Sequence, residues 1–356
     1  MLKLSAVVLM LASFICTSAQ ITSPRVPSPA ATVSQTVGIS TVTVKYSRPS
    51  VKGREIWGAL VPYGWNVQAF GLGNSAPWRA GANENTVITF SHNATVEGKP
   101  VPAGSYGLFF VINKDNTGEV ILSKDYRSWG SFFYDEKNDF MRAKIQLRDV
   151  PATELLTYDF ANLTKTSAEL ELMWEKKAFP VKVEFDVDNI VMANAAEELK
   201  STTGFNWIGF TSAANYALNN KVNLDQALTW ADKAVTMNSN FNTLSVKANV
   251  LKAQGKTDEA NKVFDDAVAV SSENELNIYG YQLMTNKEQD KAIKMFILNT
   301  QRHPKSANVW DSLGEAYALS GDKKNAIANF KKSLSLNPTE AIRANSEKYM
   351  KQLGAM

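Results

Sequence analysis

Apolar and polar residues alternate along much of the first half of the chain. Valine and tyrosine take every second position of 42–46, and the runs 106–112, 141–147, 168–174 and 179–187 keep the same period. Alternation of this kind buries one face of an antiparallel strand, and turn residues separate the runs. Many short strands at this spacing are typical of a β-sandwich or barrel. We therefore predict an N-terminal antiparallel β-sandwich over residues 33–188.

The period changes near residue 188. Residues 189–205 predict a helical connector, and from residue 206 the chain repeats itself. The clearest unit, 307–340, has the spacing of a tetratricopeptide (TPR) repeat, with Trp310, Leu313, Gly314, Tyr317, Gly321, Ala326, Phe330 and Pro338 in its defining places. Weaker copies occupy 206–240, 241–272 and 273–306. We expect a C-terminal all-α, TPR-like solenoid of four repeats over 206–340, ended by a capping helix at 341–356.

The first residues, MLKLSAVVLMLASFICTSAQ, have the pattern of a secretory signal peptide. A lysine precedes an apolar run, and small residues follow it, so we expect cleavage of residues 1–19 after Ala19 and export to the periplasm or beyond. The alternative is a lipoprotein anchored through Cys16. That signal favours a small residue before the cysteine, where this chain has Ile15. The Pro/Ser-rich residues 20–32 predict an extended segment.

Charge and composition exclude several classes of function. The net charge is +3, and the 38 basic residues are spread along the chain, whereas nucleic-acid binding requires clustered lysine and arginine. We expect no nucleic-acid partner and no transmembrane segment in the mature chain. Two distant histidines and no cysteine after Cys16 predict no metal site, and no cofactor motif is found.

The segment 46–66 and the nearby PWRAGANENT (77–86) concentrate arginine, aromatic and asparagine residues between glycines. Exposed aromatic rings offer flat faces for sugars, so we expect a glycan or another small ligand here. The same residues could instead anchor the loops. The ligand-binding candidates are Arg54, Trp57, Tyr63, Trp78, Arg79, Asn83 and Asn85.

Two glutamates in this region raise an enzymatic alternative. Glu55 and Glu84 are candidate acid and base of an envelope carbohydrate hydrolase, which needs two carboxyl groups about 5–10 Å apart. The competing interpretation is that Arg54 and Arg79 pair with these glutamates and fix two loops together. The sequence favours a non-catalytic, exported binding or assembly protein over the hydrolase.

The TPR region predicts a groove for a protein or peptide partner, formed by the first helix of each repeat. Groove positions carried over from the repeat give a mixed, asparagine-rich surface without the basic residues that hold a peptide carboxylate. A plain docking or dimerisation surface is the alternative. The groove candidates are Asn242, Asn249, Asn274, Asn277, Tyr281, Asn308 and Asp311.

Four separated motifs also resemble a known family. YSRPSVKGR (46–54), LVPYG (60–64), WRAGANENT (78–86) and PAGSYG (102–107) occur in the order typical of the secreted bacterial domain of unknown function 2911. This family is common in Bacteroidota and is often followed by TPR repeats. The resemblance covers about residues 28–187 and implies a β fold and an exported protein, but no reaction. Family members usually lack residues 65–77, an insertion that we expect to reshape the rim of any pocket.

Overall fold

The structure is a computed structural model that describes residues 27–355. The predicted signal peptide, its cleavage site, Cys16 and residues 20–26 of the predicted extended segment lie outside the described residues. The chain divides into two compact units, with the boundary between Ile190 and Val191. The first strand begins at Ala30, before the predicted domain start at residue 33.

The described part of the N-terminal unit consists of antiparallel strands. They are β1 Ala30–Val37, β2 Ser40–Ser47, β3 Asn66–Val67, β4 Ser75–Ala76, β5 Thr86–Phe90, β6 Ala94–Val96, β7 Lys99–Val101, β8 Gly104–Ile112, β9 Thr117–Ser123, β10 Asp139–Gln146, β11 Arg148–Ala161 and β12 Ser167–Phe185. Six of them form one sheet in the order β1-β2-β5-β8-β9-β10, and four form a second in the order β11-β12-β6-β7. Strands β3 and β4 form a separate hairpin. The predicted antiparallel β region is thus confirmed.

Side chains of the two larger sheets meet in a shared core. The ring centroid of Phe110 in β8 lies 5.2 Å from that of Phe179 in β12. The rings of Tyr46 in β2 and Tyr158 in β11 are 4.7 Å apart, with an edge-to-face arrangement. Edge-to-face contacts are favourable for aromatic rings, and burial of this apolar surface stabilises the unit.

Strand β8 departs from the expected pattern of one buried face. Leu108 and Phe110 are buried as predicted, but Phe109 and Val111 on the opposite face are buried too. This second face packs against Ala76, which belongs to the inserted residues 65–77, and against Tyr134. A strand covered on both sides has a continuous apolar sequence, which GLFFVI shows.

The described part of the C-terminal region is helical. Its helices are α1 Val187–Glu198, α2 Trp207–Asn220, α3 Leu224–Met237, α4 Phe241–Ala253, α5 Thr257–Val270, α6 Glu273–Thr285, α7 Gln289–Arg302, α8 Ala307–Leu319, α9 Lys323–Leu334 and α10 Glu340–Gln352. Helix α1 begins just before the boundary between the units, and α2 to α9 form four consecutive pairs. Within residues 27–355, none of these helices combines the length and apolarity that crossing a bilayer requires.

Side-chain caps explain where several helices begin. Asn240 and Thr243 form a reciprocal capping box at the start of α4, and Ser272 and Glu275 form another at α6. Such caps satisfy backbone N–H groups that have no partner within the helix, each contributing about 1 kcal/mol. The polar residues between the repeats therefore set the boundaries of the helices.

Glycines let the helices of a pair approach closely. A Cβ atom added to Gly280 in α6 would lie 2.6 Å from ring carbons of Phe296 in α7. The same pair recurs in the next repeat, where a Cβ on Gly314 would lie 2.9 Å from the ring of Phe330. Both rings are fully buried, so these two repeats share one packing solution.

We expect Gly280→Ala to lower the free energy of unfolding of the helical unit by about 1 kcal/mol. Overpacking against a buried ring costs about 1–3 kcal/mol, whereas alanine gains about 1 kcal/mol as a better helix former. Urea denaturation followed by circular dichroism measures the difference. The exchange Ala344→Gly, at an exposed position of α10, measures the propensity effect alone. Unchanged or higher stability of Gly280→Ala would contradict the close approach.

Candidate functional site

The N-terminal unit contains a partly open cavity of about 560 Å³ beside its aromatic core. We call it the pocket; its lining comes from residues 27–28, 49–54, 60–68 and 76–83, with Ser131 and Trp174. Its volume is in the range of small-molecule sites. The inserted residues 65–77 contribute Asn66, Gln68, Ala76 and Pro77 to the lining.

A tryptophan cluster forms one wall of the pocket. The ring of Trp78 stacks on that of Trp174, with centroids 5.9 Å apart and an interplanar angle of 15°. Trp57 lies behind this pair and contacts both rings edge-on, at 5.7 and 5.9 Å. The backbone of Trp78 exchanges hydrogen bonds of 2.8 and 2.9 Å with Phe110, which fixes the segment to β8. The wall therefore belongs to the rigid core.

The chain after Trp78 turns sharply through two residues with left-handed backbone. Ala80 and Asn83 have φ values of 54° and 62°, a region that non-glycine residues rarely adopt. The carbonyl of Ala80 accepts hydrogen bonds from Thr86 Oγ1 at 3.1 Å and from the Tyr158 hydroxyl at 3.0 Å. These bonds to β5 and β11 hold the turn in place.

Arg79 lies against the inner side of this turn. Its Nη1 donates to the carbonyl of Asn83 at 2.8 Å, and its Cζ lies 4.7 Å from the ring centroid of Phe132. Burial lowers the pKa of the Arg79 guanidinium from its usual value. Gly130, with φ +60°, approaches so closely that an added Cβ would collide with the guanidinium. The position of Arg79 thus depends on the absence of a side chain at residue 130.

The other basic residues of the lining lie at its exposed edge. Arg54 donates from Nε to the carbonyl of Val51 at 3.1 Å and from Nη2 to the carbonyl of Ser50. Lys52 is exposed and has a left-handed φ of 47°. The SRPS segment is tied to β11, where Arg48 donates to the carbonyl of Leu156.

The structure places four of the seven ligand candidates in the lining, namely Arg54, Trp78, Arg79 and Asn83. The three others are not among the lining residues. Trp57 lies behind the wall, Tyr63 packs over Gly58, and the buried Asn85 donates to the carbonyl of Asp125 at 3.2 Å. Glu55 and Glu84 are also absent from the lining.

Sequence reasoning missed Trp174 and Ser131. Trp174 follows the alternation of β12 and therefore reads as an ordinary core residue, with nothing local to show that it meets Trp78. Ser131 donates to the carbonyl of Pro77 at 2.6 Å, across a long stretch of sequence. By contrast, Asn66 and Gln68 belong to the inserted residues 65–77, which we expected from the sequence to reshape the rim of any pocket.

The seven groove candidates all lie on α4, α6 and α8, the first helices of three pairs. Asn242, Asn249 and Asn274 are exposed, whereas Asp311 is buried.

Among residues 27–355, no group of three or more histidine, cysteine, aspartate or glutamate side chains could hold a metal ion.

Side chains of α10 bind the polar positions of α8. Asp311 accepts hydrogen bonds from Asn345 and Ser346, and burial raises its pKa. Glu315 accepts from the hydroxyl of Tyr349 at 3.0 Å, and from that of the groove candidate Tyr281 at 3.1 Å. Burial, with the nearby Glu315, raises the pKa of Tyr349 to about 12, so its hydroxyl remains a donor. Tyr281 and Asp311 are therefore occupied within the chain.

The residues of α4 and α6 at the repeat position of Asp311 are Ser245 and Asn277, and they differ from Asp311 in their hydrogen bonds. Ser245 Oγ and Asn277 Oδ1 are buried, and the described part of the chain offers neither a hydrogen-bond partner. Buried polar atoms without partners cost about 1–3 kcal/mol each. The unsatisfied part of the groove is therefore at α4 and α6.

Several solved structures are similar to part of this chain. The protein described as "YrrB: a TPR protein with an unusual peptide-binding site" has 17% identity, covers 45% of this chain and 84% of its own, and gives a TM-score of 0.28. A pilF protein of Pseudomonas aeruginosa has 20% identity, covers 43% and 71%, and gives 0.27. PcrH of Pseudomonas aeruginosa has 16% identity, covers 32% and 92%, and gives 0.26.

Family comparisons assign both parts of the chain. A search of curated proteins found no match. Residues 28–183 match the model of a family described as "Protein of unknown function (DUF2911)", and residues 307–340 match the tetratricopeptide repeat. The chain is thus similar to the DUF2911 family over residues 28–183 and to the tetratricopeptide repeat over residues 307–340.

Proposed function

We propose that the protein is an exported, non-catalytic binding or assembly protein. In this proposal the TPR region binds a protein or peptide, and the pocket binds a small ligand such as a glycan. The observation that carries the ligand half is the cavity of about 560 Å³ with the stacked Trp78 and Trp174 as one wall. A flat indole wall with polar groups around it suits the apolar face of a sugar ring.

Among residues 27–355, no acidic side chain lines the pocket, which supports a non-catalytic role. A glycosidase needs two carboxyl groups on either side of one glycosidic bond. Glu55 and Glu84 are not among the described residues that line the pocket. The hydrolase alternative therefore gains no support from the pocket.

The partner half of the proposal rests on the unequal groove. The polar atoms of α8 are bound by α10, whereas Ser245 and Asn277 have buried polar atoms without partners in residues 27–355. The exposed Asn242, Asn249 and Asn274 lie on the same two helices, α4 and α6. We place the partner there because these asparagines are exposed, whereas Asp311 of α8 is buried and bound within the chain.

Export is supported by the signal sequence and is directly testable. We expect the protein purified from its native envelope or secreted fraction to begin at Gln20, as determined by N-terminal sequencing. Retention of residues 1–19 would contradict export by this signal. A lipid-modified Cys16 at the N-terminus would establish the lipoprotein alternative instead.

Filling the pocket should abolish ligand binding. We expect Gln68→Trp, which adds a large ring at the lining, to weaken binding of a glycan found by array screening at least tenfold, or about 1.4 kcal/mol. Isothermal titration calorimetry with the full chain measures this. Val67→Trp is the matched control, because Val67 is 69% exposed on the same hairpin and does not line the pocket. Equal binding by both variants would place the ligand elsewhere.

A charge placed in the groove should release the partner. We expect Asn249→Arg, on α4, to reduce the amount of a partner captured from envelope extracts at least tenfold, as quantified by mass spectrometry. Asn261→Arg adds the same charge at an exposed position of α5, a second helix, and should retain the partner. Any protein held equally by both variants binds outside the proposed groove.

A further inference from the structure

The pocket has a charge of one sign. Lys52, Arg54 and Arg79 belong to its lining, and no aspartate or glutamate does among the described residues. Cations lining a partly enclosed, low-dielectric cavity produce a positive potential that favours anionic ligands. The overall net charge of only +3 gives no such preference, so the bias is local.

Arg79 is the innermost of these charges, and none of the described residues gives it a carboxylate partner. In the part of the chain that the structure describes, its guanidinium donates one hydrogen bond, to the carbonyl of Asn83. Burial is the cause of its lowered pKa, with no compensating ion pair. Taking a charge out of water without pairing it is costly, so the arrangement leaves a strong donor that an anion would satisfy.

Neighbouring residues fix the position of the Arg79 guanidinium before any ligand binds. Phe132 supports it from one side, and Gly130 leaves the space that its nitrogen atoms occupy. A guanidinium carries five N–H donors in a planar fork that matches the two oxygens of a carboxylate. One bond to Asn83 leaves donors for a bidentate contact, and little side-chain entropy remains to be lost.

A second donor beside the pocket is also unsatisfied. Trp174 is 1% exposed and lines the pocket, and its indole Nε1 has no hydrogen-bond partner within residues 27–355. A buried indole N–H usually finds an acceptor. The lining also holds amides and hydroxyls of Asn66, Gln68, Asn83, Ser50 and Ser131, which suit a ligand with many hydroxyl groups.

We propose that the pocket binds an acidic sugar, a hexuronate residue of an oligosaccharide, with its carboxylate on Arg79 and its ring beside Trp78. This inference rests on the proposed ligand-binding role and names the class of ligand. A neutral sugar would leave the cationic lining unpaired, and an acid without hydroxyl groups would leave the amides of the lining unused.

The test compares one ligand in two charge states. The probes are a trisaccharide of galacturonic acid and its methyl ester, which has the same shape without the charge. We expect calorimetry on the full chain to give at least tenfold tighter binding of the acid, weakening as salt is raised. Equal affinities for acid and ester would overturn the acidic-sugar proposal and leave the ligand role intact. No binding of either probe, together with array binding of a neutral glycan that Gln68→Trp abolishes, would also overturn only the acidic-sugar proposal. No binding of either probe and no glycan found on the array would overturn both the acidic-sugar proposal and the proposed ligand-binding role.

Variants locate the carboxylate. Arg79→Gln should weaken binding of the acid at least tenfold and leave the ester unchanged. Gly130→Ala should have a similar effect with the charge retained, because the new methyl group displaces the guanidinium. Arg127→Gln is the matched control, since Arg127 also lies over a ring, that of Tyr126, but outside the pocket.

One variant guards against loss of folding. Lys52→Gln removes an exposed charge at the rim and should weaken the acid by about twofold to threefold through the screened potential alone. Folded Arg79→Gln and Lys52→Gln proteins that bind the acid as tightly as the unaltered chain would overturn the proposal.

Discussion

The packing of Trp57, Trp78 and Trp174 is the interaction on which the N-terminal unit depends. Trp174 stands on β12, and the backbone of Trp78 is paired with Phe110 of β8, so their stacked rings join the two larger sheets. Trp57 brings a third, irregular segment onto the same rings. Each aromatic pair adds about 0.5–1.5 kcal/mol beyond the burial of its surface. Because Trp78 and Trp174 also line the pocket, the pocket lies directly against this core.

The turn that follows Trp78 also fixes the position of Arg79, the cation that lines the pocket with Trp78. Ala80 and Asn83 adopt left-handed backbone conformations that cost about 1–2 kcal/mol each, and hydrogen bonds from Thr86 and Tyr158 to the Ala80 carbonyl offset part of that cost. The tight turn brings the carbonyl of Asn83 within 2.8 Å of Arg79. This turn therefore positions Arg79, which has no carboxylate partner among residues 27–355, in the same lining as Trp78 and Trp174.

Features set by local period could be predicted, and features set by distant contacts could not. The alternation of Val42 and Val44 and the repeat spacing of Gly314 and Phe330 are local, and the structure has both as expected. Trp174 has the same alternation, yet its contact with Trp78 depends on how the second sheet meets the first. Tyr63 and Asn85 are residue types that occur in binding sites, but their side chains contact neighbouring loops and do not line the pocket. The contact of Asn85 with Asp125 joins segments that are distant in the sequence, so the sequence does not reveal it.

The last repeat of the helical unit differs from the second and third repeats in how its polar side chains are satisfied. Asp311 and Glu315 are carboxylates in a buried setting, and they need donors to be tolerated there. Helix α10 supplies Asn345, Ser346 and Tyr349, so it closes the stack by satisfying the last repeat. No such donors reach Ser245 and Asn277 from the described residues. Helix α10 therefore occupies polar positions of the last repeat, whereas the proposed function places the partner at α4 and α6.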